Sequence, residues 1–312
     1  MFNRFFAAQI HACLIFFAIS AVAQNIASLK HSEDSLKSIG KLIKESSSDS
    51  ARLHLNALFF ITLNQAIHLP GSFDYPFDSI KILGKLKSPD KRFRMYNWNL
   101  PRSDGTNISF CILQVYNKSK DQYDYFDLAD RSDSIDQPEI QTLDVYHWYG
   151  TLYYKIIENS SIPDNKKYYT LLGWIAKDRF IAEKIIEVLT FDKDGIPHLG
   201  AKVFKNFQDG QVRRVIFKYS LSAKMALNYN EAGLPVGNKS AALLKQSGIK
   251  GRRAKMIIFD HLVPLEPQLE NQYQFYVPEA DTYDAFVFSK DTWIFLQEVD
   301  ARNSPLPSKR RK

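Results

Sequence analysis

Cysteine is almost absent from these 312 residues, with only Cys13 and Cys111 present. Cys13 falls inside an N-terminal apolar stretch, so an exported form of the chain keeps one thiol and no internal disulfide, and its stability has to come from packing. Cys111, between apolar neighbours, reads as a small core residue. Seven histidines are scattered without metal-ligand spacing. A Gly-x-Ser-x-Gly nucleophile turn is missing, as is any repeat of fixed period, and no motif calls for a cofactor. The formal charge of +7 is no broad basic field either, because Lys309, Arg310, Arg311 and Lys312 carry four of those charges behind Pro305 and Pro307. A grip on a phosphate backbone, and hence nucleic acid as partner, is not expected. With 45% hydrophobic and 24% charged residues the chain is neither disordered nor collagenous.

What is present begins at the N-terminus. Met1 to Arg4 is short and basic, Phe5 to Ile19 is apolar apart from Gln9 and His11, and Ala21-Val22-Ala23 supplies small-x-small ahead of Gln24. This is the pattern of a cleaved secretory signal. A membrane anchor would need about 20 unbroken apolar residues, and a lipoprotein would place its cysteine after the apolar core rather than within it. The expected organisation is a signal peptide over 1–23, a helical hairpin over 24–70, an antiparallel β domain over 71–300 and a basic tail over 301–312. No transmembrane span remains after cleavage.

Between Ser32 and His68 the apolar period is helical. Leu36, Ile39, Leu42 and Ile43 form one stripe, Ser46 to Ser48 breaks it, and Asp49 caps a second helix with Leu53, Ala57, Phe60, Ile61 and Ala66 on its apolar face. From Phe73 onward about a dozen short aromatic or β-branched runs follow, with Asp104-Gly105, Asp194-Gly195 and Asp209-Gly210 as hairpin turns. Ile185, Ile186, Val188 and Leu189 mark a central strand. Val215, Phe217 and Tyr219 against Arg214 and Lys218 mark a strand with one wet face, and so do Tyr273, Phe275 and Val277 against Gln272 and Gln274. Asn117 to Gln141 and Asn230 to Arg253 read as long loops, the second with a helical piece near Ala241 to Lys245 and the basic run Lys250, Arg252 and Arg253. The fold expected is mainly β, an antiparallel meander in a sandwich or partial propeller-like stack, preceded by an α-helical hairpin.

The candidate chemistry is sparse. Asp192-Lys193-Asp194-Gly195 opens like a calcium loop, but Ile196 and Pro197 stand where further ligands belong, so Asp192 and Asp194 are weak metal candidates beside a plain turn. Asp121, Asp124, Asp127, Asp130, Asp133 and Asp136 make an acidic series whose spacing matches no cage. Asp260-His261 could pair a carboxylate with an imidazole, although neighbours on a strand point to opposite faces. Trp148, Tyr149 and Trp174 could stack on a sugar ring or a partner, the alternative being core.

The segments Leu69-Pro-Gly-Ser-Phe-Asp-Tyr-Pro-Phe-Asp-Ser-Ile80, Phe93-Arg-Met-Tyr-Asn-Trp98, Trp148-Tyr-Gly-Thr-Leu-Tyr-Tyr154, Tyr169-Thr-Leu-Leu-Gly-Trp174 and Ile258-Phe-Asp-His-Leu-Val-Pro264 resemble an uncharacterised family of exported proteins from Bacteroidota. The resemblance spans nearly all of the mature chain. It implies an envelope location, periplasmic or at the cell surface of a Gram-negative bacterium, and carries no catalytic residue across. The expected function is a non-catalytic binding or accessory role beside another envelope protein or surface component. The alternatives are a hydrolase or carbohydrate-active protein using Asp260, His261 or the acidic turn at Asp192, and a plug or accessory subunit of an outer-membrane export channel.

Overall fold

The computed structural model describes residues 2–160, 167–235, 242, 244–245 and 253–299. The basic tail, Lys250 and Arg252 lie outside the described residues. Two compact units divide at Lys85 and Leu86.

The first unit holds helix α1 (Phe2–Glu45) and helix α2 (Asp49–Ile67). Helix α1 starts well upstream of Ser32 because no glycine or proline interrupts the chain before Gly40, so nothing breaks the backbone over residues 2–39. Among the described residues no helix is long and apolar enough to cross a membrane. The cap of α2 is Ser48 rather than Asp49: Ser48 has extended dihedrals and its Oγ accepts the Ala51 N–H at 3.3 Å. Asp49 instead occupies the first turn and pairs with Arg52 at 2.8 Å.

The buried stripe also differs from the expected one. Leu29, Leu36 and Ile43 of α1 and Phe59, Leu63, Ala66 and Ile67 of α2 are interior, whereas Leu42, Leu53 and Ile61 are exposed. Apolar residues surround α2 on all sides, so its period could not select a face. Residues 71–85 belong to the same unit and bury Phe73, Phe77, Ile80 and Leu83. Across the unit, Glu33 accepts from Tyr75 Oη at 2.6 Å and from the Ser79 N–H at 2.7 Å.

The second unit is built from three sheets, antiparallel apart from one pair in the third. The first is the meander β1 (Gly84–Lys87), β2 (Phe93–Pro101), β3 (Asn107–Asn117) and β4 (Gln122–Ala129), with β1 straddling the boundary between the units. Next come β5 (Leu152–Ser160), β6 (Lys167–Ala176), β7 (Ile181–Phe191), β8 (Pro197–Leu199), β9 (Phe204–Lys205) and β10 (Val215–Ser220). The second sheet has the order β10-β7-β6-β5, with β8 also paired to β7. The third combines β11 (Leu227–Pro235), β12 (Arg253–Pro264), β13 (Tyr276–Ser289) and β14 (Thr292–Leu296) with β9, in the order β11-β12-β13-β14-β9.

These sheets stack face to face. Phe93, Met95, Cys111 and Leu113 of the first sheet meet Tyr169, Leu171, Ile185 and Leu189 of the second, with Trp148 between them. On the opposite face of the second sheet, Leu172, Ile186 and Val188 meet Ile257, Phe259, Phe286 and Trp293 of the third. Strand β7 therefore supplies alternate residues to two cores, which explains why its sequence is apolar on both faces. Met256, Ala285 and Val287 bury the outer face of the third sheet with Leu244.

Turn chemistry behaves as expected at two of three sites. Gly105 has φ of +88° in the β2–β3 hairpin, where Asp104 Oδ1 accepts from the Thr106 N–H at 2.9 Å. Gly195 has φ of +83° between β7 and β8. Asp209-Gly210 also turns, but β9 and β10 on either side of it pair elsewhere, β9 in parallel with β14 and β10 with β7.

The expected loop from Asn117 to Gln141 contains β4, an edge strand whose acidic residues hide its alternation, as charged edges commonly do. Tyr273–Phe275 is a 3-10 turn leading into β13 rather than a strand. The most consequential correction is Arg214. Instead of lining a wet face it is wholly buried, with Nε at 2.8 Å from Oε2 of the equally buried Glu187.

Candidate binding surface

The sequence candidates disperse through the second unit. Trp148 is interior and its Nε1–H donates to Tyr153 Oη at 3.1 Å. Trp174 is half-buried and its Nε1–H donates to Tyr219 Oη at 3.0 Å. Of the three aromatic candidates, Tyr149 alone lines a cavity. Asp260 Oδ2 accepts the Ala226 N–H at 2.7 Å, closing β11 onto β12. The register shifts between Asp260 and Leu262, and at that bulge His261 Nδ1 lies 2.7 Å from Asp284 Oδ2, not against Asp260. Asp284 is buried, and its other oxygen accepts the Glu298 N–H at 2.9 Å. Both members of the expected pair are thus occupied in holding strands together, and they do not converge.

The acidic series scatters because a spacing of three on a strand alternates faces. Asp130 Oδ1 takes the Ser132 N–H at 3.1 Å and Oδ2 the Ser109 N–H at 2.9 Å, while Asp133 is fully out in solvent beside Lys177. Asp124 and Asp192 do come together, in a cleft of about 730 Å³ that also carries Asp90, Arg92 and Lys120. Asp90, Asp124 and Asp192 are already engaged, and Asp194, also in the lining, contributes only its backbone N–H to Asp192 among the described residues. Backbone donation from Ile196, together with His198, holds Asp192 below the usual carboxylate range, with Oδ1 capping its own turn at the Asp194 and Ile196 N–H groups. Asn117 does the same for Asp124. Burial works against ionisation of Asp90, but hydrogen bonds from Tyr169, Ser88 and Lys167 outweigh it and its pKa is lowered. Carboxylates held ionised in this way are poor proton donors near neutrality. Among the described residues no group of three or more His, Cys, Asp or Glu is placed to hold a metal ion.

A different region gathers exposed apolar surface and buried charge. The β6–β7 turn, Lys177 to Phe180, is shaped by its own polar groups. Asp178 Oδ1 accepts the Phe180 and Ile181 N–H groups at 2.7 and 2.8 Å, and Arg179 donates to the Asp104 and Ser103 carbonyls at 2.6 and 2.9 Å. With those charges engaged, Phe180 projects outward, 67% exposed. It faces a groove of about 670 Å³ with Leu221, Leu265 and Phe275, of which Leu265 is 62% exposed. Ser220, Ser222 and Gln274 give the groove a neutral polar rim.

On the other side of Ile181 lies a cavity of about 300 Å³, with Glu183 and Tyr149 in its wall. Glu183 is only 1% exposed, and its Oε2 accepts from Tyr149 Oη at 2.8 Å. Burial raises its pKa against the opposing hydrogen bond from Tyr149 and the charges of Lys177 and Lys218. Burial likewise raises the Tyr149 phenol, with Glu183 adding to the effect.

Sequence reasoning missed Glu183, Glu187, Arg214 and the exposed Phe180. One signal was available for the first two: acids at even spacing inside the apolar run of β7 share one face, and that face is interior. No protein-family model, curated protein or solved structure matches this chain.

Proposed function

We propose that the chain is a non-catalytic exported protein of a bacterial cell envelope, and that it docks a partner protein in the groove formed by Phe180, Leu221, Leu265 and Phe275. Export rests on the leader pattern ahead of Gln24. The docking role is carried by the groove, since large apolar side chains clustered on a rigid hairpin end are an uncommon and costly surface to leave in water. Its chemistry selects the occupant. With Asp178 and Arg179 tied to local backbone, the groove presents apolar walls and neutral hydrogen-bonding side chains, matching an uncharged apolar segment of a second envelope protein. A hydrolase reading is less well supported, because Asp260 and His261 each hold a structural hydrogen bond.

The test places a photo-cross-linking residue at Phe180 and, as control, at the exposed Ile196. Cross-linking in the intact envelope is expected to yield one defined protein product from position 180 and none from 196. Leu265→Asp is expected to abolish that product without altering the thermal midpoint. Equal products from both positions, or none from 180, would refute the reading. Export is read from the mass of the cellular protein, which is expected to begin at Gln24.

A further inference from the structure

The cavity beneath the β6–β7 turn holds a buried acid with an unused oxygen. Glu183 Oε2 is satisfied by Tyr149, but no described residue donates to Oε1. Oε1 is not among the described side-chain atoms that are sealed from solvent without a partner, so it meets the cavity, where water or a ligand can complete it. Two cations share the cavity. Lys218 lies directly across from Glu183 in the β10–β7 register, and among the described residues it forms no ion pair, its Nζ resting 5.6 Å from the Tyr273 ring centroid. Lys177 lies 5.6 Å from the Tyr149 centroid, and its one acidic partner, Asp133, is so exposed that water screens the pair. Ile135, Pro138 and the tyrosine rings supply apolar wall.

We propose that this cavity binds a small organic carboxylate, with Lys177 and Lys218 as its charge partners and the Glu183 carboxyl group sharing a hydrogen bond with it. The volume admits a ligand of monosaccharide or benzoate size and little more. Point-charge ammonium groups line the cavity rather than arginine forks or a helix N-terminus, which favours a monoanion over a phosphate ester.

Protonation decides whether Glu183 attracts or repels such a ligand. An ionised Glu183 faces a bound carboxylate as a like charge. A protonated one donates to it, and burial already favours that form. The other groups acting on Glu183 are Tyr149, which donates to Oε2, Lys177 at the end of β6 and Lys218 on β10, which oppose its protonation, and Glu139, which promotes it. Tyr273 completes the wall. Where Glu183 is ionised in the free protein, binding takes up a proton from solvent, and over that range affinity falls as pH rises, by at most about tenfold per pH unit for one linked proton.

The cavity shares Ile181 with the docking groove but not Leu265, and Leu265→Asp is expected to leave it intact. The experiment is an NMR titration of the mature protein with benzoate and glucuronate, using benzamide and glucose as neutral controls, between about pH 5.5 and 7.5. Expected are saturable shifts in residues 177–183 with at least one carboxylate and none with the neutral analogues. Lys218→Met is expected to weaken binding at least about tenfold. Glu183→Gln, which keeps a donor without a titrating proton, is expected to bind with affinity nearly independent of pH. The proposal is overturned by absence of saturable shifts, by equal response to the neutral controls, or by unchanged affinity in Lys218→Met.

Discussion

Arg214 and Glu187 set the terms at the scale of single residues. Arg214 donates to Glu187 through Nε and to the Leu199 carbonyl through Nη2 at 3.0 Å, with Nη1 directed at the Pro138 and Gln141 carbonyls. One guanidinium thus fastens the segment before β5 to the end of β8 and to β7. Removing it strands Glu187 as a buried charge, so Arg214→Met is expected to cost about 3–5 kcal/mol in urea unfolding. The double variant Arg214→Met with Glu187→Met is expected to recover most of that loss, because apolar side chains of similar volume need no partner. A double variant no more stable than the single one would show that the carbonyl contacts, rather than the ion pair, hold these segments.

Elements in the first unit owe their limits to short polar contacts. Ser48 ends the break between the helices by capping α2, and Ser48→Ala is expected to cost about 1 kcal/mol, read as a lowered midpoint of the helical circular-dichroism signal. Glu33, on the buried face of α1, ties that helix to residues 75–79. Burial alone would raise its pKa, but the donations from Tyr75 and Ser79 outweigh it and bring the value down to about 2. Burial and the bond to Glu33 raise Tyr75 to about 12. Because the folded value of Glu33 lies below the unfolded one, its stabilisation is full above pH about 4.5 and is lost as pH falls towards about 2. The effect amounts to about 3 kcal/mol at neutral pH. Glu33→Gln is expected to lower helix stability at neutral pH and to flatten the acid limb within that window. A variant whose acid limb superimposes on that of the wild type would contradict the assignment.

Over the whole of the second unit, stability comes from layers. Trp293 Nε1–H donates to Thr170 Oγ1 at 2.9 Å, a buried bond between the third sheet and the second. Cys111 is sealed between the first and second, and burial pushes its thiol well above the usual range. Besides Cys13 in the N-terminal apolar stretch, the chain's one thiol is Cys111. Its modification by a thiol-specific reagent is expected to be negligible in the native protein and to appear only in step with loss of β-sheet signal in denaturant. Labelling that precedes unfolding would reveal independent separation of the first two layers.

The aromatic and β-branched runs that form β3, β6, β7 and β12, and the Asp-Gly turns at Gly105 and Gly195, were legible because strand propensity and positive φ are local properties that a few neighbouring residues determine. The same holds for the break at Ser46 to Ser48. Local pattern could not reveal that Arg214 turns inward, that His261 meets Asp284 rather than Asp260, that β9 pairs in parallel with β14, or that Phe180, Leu221, Leu265 and Phe275 come together. Those outcomes depend on which strands become neighbours across long stretches of chain, and a charged or acidic residue is assigned to water or to core only by what packs over it. Composition and period determined an antiparallel β protein behind a helical pair. Only the stacking of three sheets decided which acids lie buried, which are tied up in turns, and where a cavity with the Glu183 carboxyl group in its wall remains.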